Sequence, residues 1–293
     1  MKNKKKAIVC VSNDLVTDNR VARTCLVLEG QNYEVILVGR QKKNSPPISQ
    51  KSFRWKRLKL PFEKGPLFYI TLNLRLLLFL FSNKFDLIYA NDLDTLIPCF
   101  VAAKIKNSKL IYDTHELFTE VPELTSRPRV QKIWLKIESA IFPKLKHVIT
   151  VNDSIAQIYS QKYRIPITAV RNVPEYHKLE TDLKTREQFK LSNDDFILII
   201  QGSGLNIDRG VEEAVLAMKD CEGCILLIVG DGDVIPKAKE IVTRNKLDQK
   251  VKFISRRPYE ELMKITRIAD LGLLLDKNSS PVSYTHLTLP TIE

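Results

Sequence analysis

Tyr112-Asp113-Thr114-His115-Glu116 closes an apolar run at residues 109–112 and joins an imidazole to two carboxylates and two hydroxyls. At the carboxyl end of a buried parallel strand, such groups face the crevice in which open α/β sheets take ligands. His115 is suited to donate to a substrate hydroxyl or to support developing charge, with Asp113 or Glu116 orienting it. Asn91-Asp92 closes the preceding apolar run and borders the same crevice. Nearer the start, residues 12–20 (SNDLVTDNR) link a first strand to a first helix. Backbone amides at such a helix start receive an anion or a sugar hydroxyl, which makes Asn19 and Arg20 candidate contacts. Asp18 suits a helix cap equally well. Arg20 stands in a first turn where the helix dipole disfavours a cation, so it either binds phosphate or faces solvent.

A second group lies past the middle of the chain. Gln201-Gly202-Ser203-Gly204 runs on to Asp208-Arg209-Gly210, and Val229-Gly230-Asp231-Gly232-Asp233 repeats the passage from strand to glycine. Small residues permit close approach, and Arg209 at a helix start can meet phosphate beside free amides. Neither segment matches G-x-G-x-x-G or G-x-x-x-x-G-K-[ST], which argues against a dinucleotide dehydrogenase and a P-loop ATPase. A nucleotide diphosphate between two domains is the economical alternative, each domain supplying one lip.

The elements that must position these residues alternate between β-branched runs and amphipathic segments. Strands are expected at residues 7–11, 33–38, 85–89, 109–112 and 147–151, and helices at 18–29, 93–104, 129–142 and 154–163. A charged stretch at residues 176–193 marks a boundary. A second series then follows, with strands at 196–201, 225–229, 251–254 and 271–275 and helices at 210–218, 234–245 and 259–269. The recurrence predicts α/β architecture with two mostly parallel sheets covered on both faces. The domains are expected at 1–173 and 196–280, joined by a linker at 174–195.

Bulk properties exclude some classes and leave others. With 44% hydrophobic and 27% charged residues, the chain is neither disordered nor fibrous. The basic start is followed by an apolar run too short for a signal peptide, and no eighteen-residue stretch is both apolar and free of charge. The five cysteines form no disulfide framework, so a reducing cytosol is the simplest compartment. Cys221-x-x-Cys224 lacks the partners of a zinc site, and no metal is expected. The net charge of +12 calls for an anionic partner without choosing one. Residues 51–59 (KSFRWKRLK) precede a strongly apolar stretch at 67–81. That pairing suits peripheral attachment to anionic lipid, or equally a core helix beside a solvated basic loop. It matches no nucleic-acid module, and no nucleic acid is expected.

The chain resembles the retaining glycosyltransferases of GT-B fold, the group that includes sucrose-synthase-like and lipopolysaccharide mannosyl- and glucosyltransferases. The resemblance rests on DNRVARTCLVLEGQNYEVILVG, YDTHELF, ITVNDSIAQIYSQKY, RNVP, QGSGLNIDRGVEEAVLAM, LLIVGDGD and ADLGLLL, in that order. It implies two Rossmann-like parallel-sheet domains facing a cleft, the first on the acceptor side and the second binding a nucleotide-sugar. It also implies retaining transfer from a nucleotide diphosphate sugar, as substrate, to a glycan or lipid-linked acceptor. No cofactor or metal is implied. His115 matches the family histidine near the transferred sugar, and Arg209 the basic position facing the diphosphate. Asn19, Arg20, Asp92, Asp113 and Glu116 fall on the substrate side; Gly202, Ser203, Gly204, Gly230, Gly232 and Arg256 fall on the nucleotide-sugar side. The setting implied is cytoplasmic, with peripheral attachment to the inner face of the membrane.

Three departures stand out. Ser203 occupies a place where many relatives have arginine, the first loop lacks paired glycines, and the family's E-x7-E segment does not follow the last strand. Residues 281–293 fit no closing helix and resemble sequencing-adapter read-through, so the second domain is expected to be incomplete and donor binding impaired. A noncatalytic binding or assembly protein on the same fold is the alternative.

Overall fold

The computed structural model describes residues 4–16, 18–45, 47–48, 52–173, 183–202 and 204–275. They fall into two compact units that divide between Val173 and Pro174. The tail expected at 281–293 lies outside the described residues.

The strands and helices of the first unit are, in chain order, β1 (Lys5–Cys10), α1 (Asn19–Gly30), β2 (Tyr33–Gln41), β3 (Arg54–Lys59), α2 (Gly65–Ser82), β4 (Leu87–Asn91), α3 (Leu93–Lys106), β5 (Lys109–Asp113), α4 (Pro122–Thr125), α5 (Pro128–Ile141), β6 (Val148–Thr150), α6 (Asp153–Tyr163) and β7 (Thr168–Ala169). The seven strands form one sheet in the order β3-β2-β1-β4-β5-β6-β7, and every pairing is parallel. Strand order reverses between β1 and β4, so the crevice of this doubly wound sheet opens beyond their carboxyl ends. One face packs against α2, α3, α5 and α6 through Leu72, Leu76, Leu96, Trp134 and Tyr159. The other packs against α1 through Val21, Cys25 and Leu28.

Local chemistry fixes the ends of these elements. Asp18 caps α1, its carboxylate accepting the Val21 N–H at 3.0 Å. Asn152 caps α6 by accepting from the Ile155 N–H at 2.8 Å. Within α3, Pro98 brings no N–H to the Asp94 carbonyl one turn earlier. The Asn73 side chain, on α2, supplies that donor at 2.9 Å and ties the two helices together.

Two features bear on the paired readings of residues 51–81. Residues 54–59, read either as a basic patch for anionic lipid or as a solvated loop, form the parallel edge strand β3, with Phe53 and Leu58 buried while Arg54, Trp55 and Lys56 stay out. Residues 65–82 form a helix long and apolar enough to cross a membrane by length and composition, yet Phe68, Leu72, Leu76 and Leu80 pack it onto the sheet.

The second unit continues with α7 (Leu183–Gln188), β8 (Phe196–Gly202), α8 (Val211–Ala217), β9 (Cys224–Gly230), α9 (Ile235–Arg244), β10 (Val251–Ile254), α10 (Tyr259–Arg267) and β11 (Leu271–Gly272). Its parallel sheet runs β10-β9-β8-β11, and the order reverses at β8. One face packs against α8 and α9 through Val211, Val215, Ala238 and Val242, the other against α10 through Ile265 and Ile268. Phe189 and Leu191, in the stretch expected as linker, pack into that second cluster, because a short run with two apolar anchors suffices to join a core.

Candidate active site

The reversal between β1 and β4 gathers charged side chains at one end of the first sheet. The register pairs Asn91 with Asp113 across β4 and β5, so the residues that follow these two strands emerge side by side. Asn91 is buried and donates from Nδ2 to the Cys10 carbonyl at 3.0 Å, joining β4 to β1 at the reversal. Asp92 comes next with φ 62° and ψ 165°, a backbone region that only glycine enters without cost. Strain of roughly 1–3 kcal/mol persists only where surrounding contacts impose it, and such positions cluster at functional sites.

His115 Nδ1 lies 2.7 Å from Asp92 Oδ1, although the pair lacks the alignment of a directed hydrogen bond. Asp92 therefore takes the place expected for Asp113 or Glu116 as the carboxylate beside the imidazole. Burial by itself depresses the His115 pKa, but the Asp92 carboxylate outweighs it and raises the value from 6.5 to about 9. His115 is thus an imidazolium at neutral pH, with a side chain 31% exposed and open to a ligand.

Asp113 has a different role. Its carboxylate accepts from Arg20 Nη1 at 2.8 Å and from the Tyr89 hydroxyl at 2.9 Å, both on Oδ2. Burial still leaves its pKa raised, with the Arg20 cation opposing. Arg20, expected either to bind phosphate or to face solvent, instead neutralises a buried acid, because an isolated carboxylate there is costly. The side chain of Asn19 lies outside the described residues. Glu116 contributes negative charge that favours protonated His115, and its carbonyl accepts the Thr114 hydroxyl at 2.9 Å.

Sequence reasoning missed Asp94. This residue is buried in the first turn of α3, and Oδ1 has no hydrogen-bond partner among the described residues. Burial first and Asp92 second raise its pKa from 3.8 to about 7, with Ser12 and His115 pulling the other way. Its signal was the density of acid in Asn91-Asp92-Leu93-Asp94 directly after a strand.

The second unit builds its strand ends from glycine. A Cβ on Gly230 would lie 1.8 Å from the Gly202 carbonyl oxygen, and φ is 132° there. A Cβ on Gly232 would lie 2.0 Å from the Leu205 carbonyl oxygen. Both glycines therefore let the loops after β8 and β9 press on each other, which the Leu205 N–H reinforces by donating to the Asp231 carbonyl at 2.9 Å. Gly204 is exposed, Ser203 lies outside the described residues, and Arg209 sits half-buried in the loop before α8. Arg256 is exposed in the segment after β10. Among the described residues no group of three or more His, Cys, Asp or Glu side chains is placed to hold a metal ion.

The family model of Glycosyltransferase Family 4 matches residues 17–174, more than half of the chain and all of this charged cluster. The chain belongs to Glycosyltransferase Family 4. Solved structures agree on the fold. Sucrose-phosphate synthase from Thermosynechococcus elongatus superposes with a TM-score of 0.72 at 17% identity, covering 92% of this chain and 75% of that one. Anabaena HepE in complex with UDP and glucose gives 0.68 at 18% identity, covering 93% and 74%. UDP-N-acetylglucosamine 2-epimerase from Rickettsia bellii gives 0.62 at 12% identity, covering 92% and 74%. No curated protein matches in sequence. The family 4 chain thus has the two Rossmann-like units of the GT-B fold.

Proposed function

We propose that this family 4 chain transfers a sugar from a nucleotide diphosphate sugar to a glycan or lipid-linked acceptor, with retention of anomeric configuration and no call for a metal. The observation that carries the reading is the Asp92–His115 pair, an imidazolium held by a carboxylate where the strand order reverses. In the proposed reaction the bond from the anomeric carbon to the diphosphate oxygen breaks, and its electron pair leaves on the diphosphate. The acceptor hydroxyl bonds to the same face of that carbon and passes its proton to the departing phosphate oxygen. His115 donates a hydrogen bond to a sugar hydroxyl and supports the negative charge that develops. Arg209 and Arg256 neutralise the diphosphate, whose oxygens rest against the backbone of Gly202 and Gly204.

The test is calorimetric titration of the chain against UDP-, GDP- and ADP-sugars, followed by turnover with the donor that binds. Arg209→Ala weakens binding by about tenfold, the loss of one charge-assisted contact. His115→Ala leaves binding within about threefold and lowers turnover by roughly 10²–10³-fold. A folded protein that binds none of the donors, or an Arg209→Ala variant that binds its donor unchanged, sinks the reading.

We also place the reaction at the anionic inner face of the cytoplasmic membrane. Leu67, Ile70, Leu74, Leu78 and Phe81 recur at helical spacing along α2, and all five are exposed. Edge strand β3 adds exposed Arg54 and Lys56 on the face that Leu58 shares with α2. An apolar stripe edged with cations suits shallow insertion among acidic headgroups. Sedimentation with phosphatidylglycerol vesicles, lost in Leu74→Glu/Leu78→Glu and absent with phosphatidylcholine, supports it; equal sedimentation of wild type and variant counts against it.

A further inference from the structure

A cavity of about 590 Å³ opens at the opposite end of the first sheet, where β5 and β6 begin. It exists because β6 pairs with β5 only at Tyr112 and Asp113, which leaves residues 109–111 of β5 without a strand on that side. The last turn of α3 and a 3-10 turn, Phe142–Lys144, close the notch. Phe100, Ala103, Leu110 and Leu145 form its floor, and all four belong to the packed core of the unit or rest against it.

The rim is rich in lysine. Lys104, Lys109, Lys144 and Lys146 line the cavity beside Asn107 and His147, with no acidic residue among the lining side chains. Asp86, near the start of β4, accepts the Lys6 backbone N–H at 2.8 Å. Ser108 lines the same cavity, and its hydroxyl is buried without a hydrogen-bond partner among the described residues. A buried hydroxyl without a partner is costly, and a bound acceptor removes that cost. The notch lies four residues back along β5 from Asp113, roughly 13 Å at strand rise, so it is separate from the His115 cluster.

We propose that this notch is a second ligand site, specific for a phosphate monoester that carries an apolar body. The phosphate oxygens take up the lysine ammonium groups and the Ser108 hydroxyl, and the apolar part covers Phe100 and Leu145. The site stands whether or not the chain is a transferase.

The test is calorimetry of the full chain with octyl phosphate below its micellar concentration, beside inorganic phosphate and octyl glucoside. Octyl phosphate binds one per chain, and about tenfold or more tightly than either half-probe, because only it satisfies both rim and floor. Lys109→Ala/Lys146→Ala weakens it by about tenfold or more, whereas Arg209→Ala leaves it unchanged. Phosphatidic acid vesicles, whose headgroup is a phosphate monoester, assign the ligand to a lipid if they compete with octyl phosphate; vesicles that do not compete assign it to a soluble ester. Absence of saturable binding, or binding indifferent to the lysine substitutions, overturns the proposal. If Lys109→Ala/Lys146→Ala fails to fold, Ser108→Ala is the second variant, expected to weaken octyl phosphate more than octyl glucoside.

Discussion

The two units end their central strands in opposite ways. In the first, the strand ends carry charge that the fold has already committed: Asp113 to Arg20 and Tyr89, and Asp92 to His115. In the second, they carry glycine, and the close contacts are backbone against backbone, Gly230 on Gly202 and Gly232 on Leu205. The first unit thus fixes an electrostatic field before any ligand arrives, while the second fixes a shape and leaves Gly204 and Arg256 exposed at its loops. Preorganised charge favours stabilisation of a transition state, and a glycine-shaped loop favours close approach of a polyanion.

The largest effect is expected where shape is set. Gly230→Ala forces a Cβ into the Gly202 carbonyl at a φ of 132°, and should destabilise the second unit by roughly 3 kcal/mol or more. Denaturant unfolding should then show this unit melting ahead of the first. A variant within about 0.5 kcal/mol of wild type would remove steric packing as the reason for that glycine.

Breaking charge in the first unit comes next. Arg20→Ala leaves the buried Asp113 carboxylate with Tyr89 alone, and should cost roughly 3 kcal/mol at pH 7 and less at pH 4, because acid favours the neutral carboxyl. A loss of the same size at both pH values would mean that packing, not charge, is what Arg20 contributes.

The third effect is smaller and depends on pH. The Asp94 pKa is raised from 3.8 to about 7, so the folded state holds a proton that the unfolded state releases. That contribution is complete below pH 3.8 and is lost as pH rises to about 7. Asp94→Asn should therefore match wild type near pH 4 and exceed it by roughly 1–3 kcal/mol at pH 8. A constant difference across that range would place the buried carboxyl in another environment.

Most elements were legible from periodicity, since α3, α5 and α6 each follow the expected spans within a residue or two. Edge strand β3 was not, because exposed cations dominate it and Leu58 is its one buried residue, which leaves no period of two to read. In the site, Asp113, His115 and Asp92 were each legible as polar residues at strand ends. Their partners were not, because register decides which residues meet. Asn91 opposite Asp113 brings Asp92 to His115, 23 positions away in the chain, and frees Asp113 for Arg20. Asp94 escaped notice because an acid in the first turn of a helix is ordinary on a surface and unusual only when buried.

The most direct test of the account is the NMR titration of His115 in wild type and in Asp92→Asn. The account predicts an imidazole pKa of about 9 that falls toward 6.5 in the variant. In the same variant, folding stability that His115 draws from Asp92, full below pH 6.5 and lost toward pH 9 in wild type, should disappear. A wild-type value near 6.5, or one that Asp92→Asn leaves unmoved, would contradict the claim that this carboxylate holds the imidazole charged.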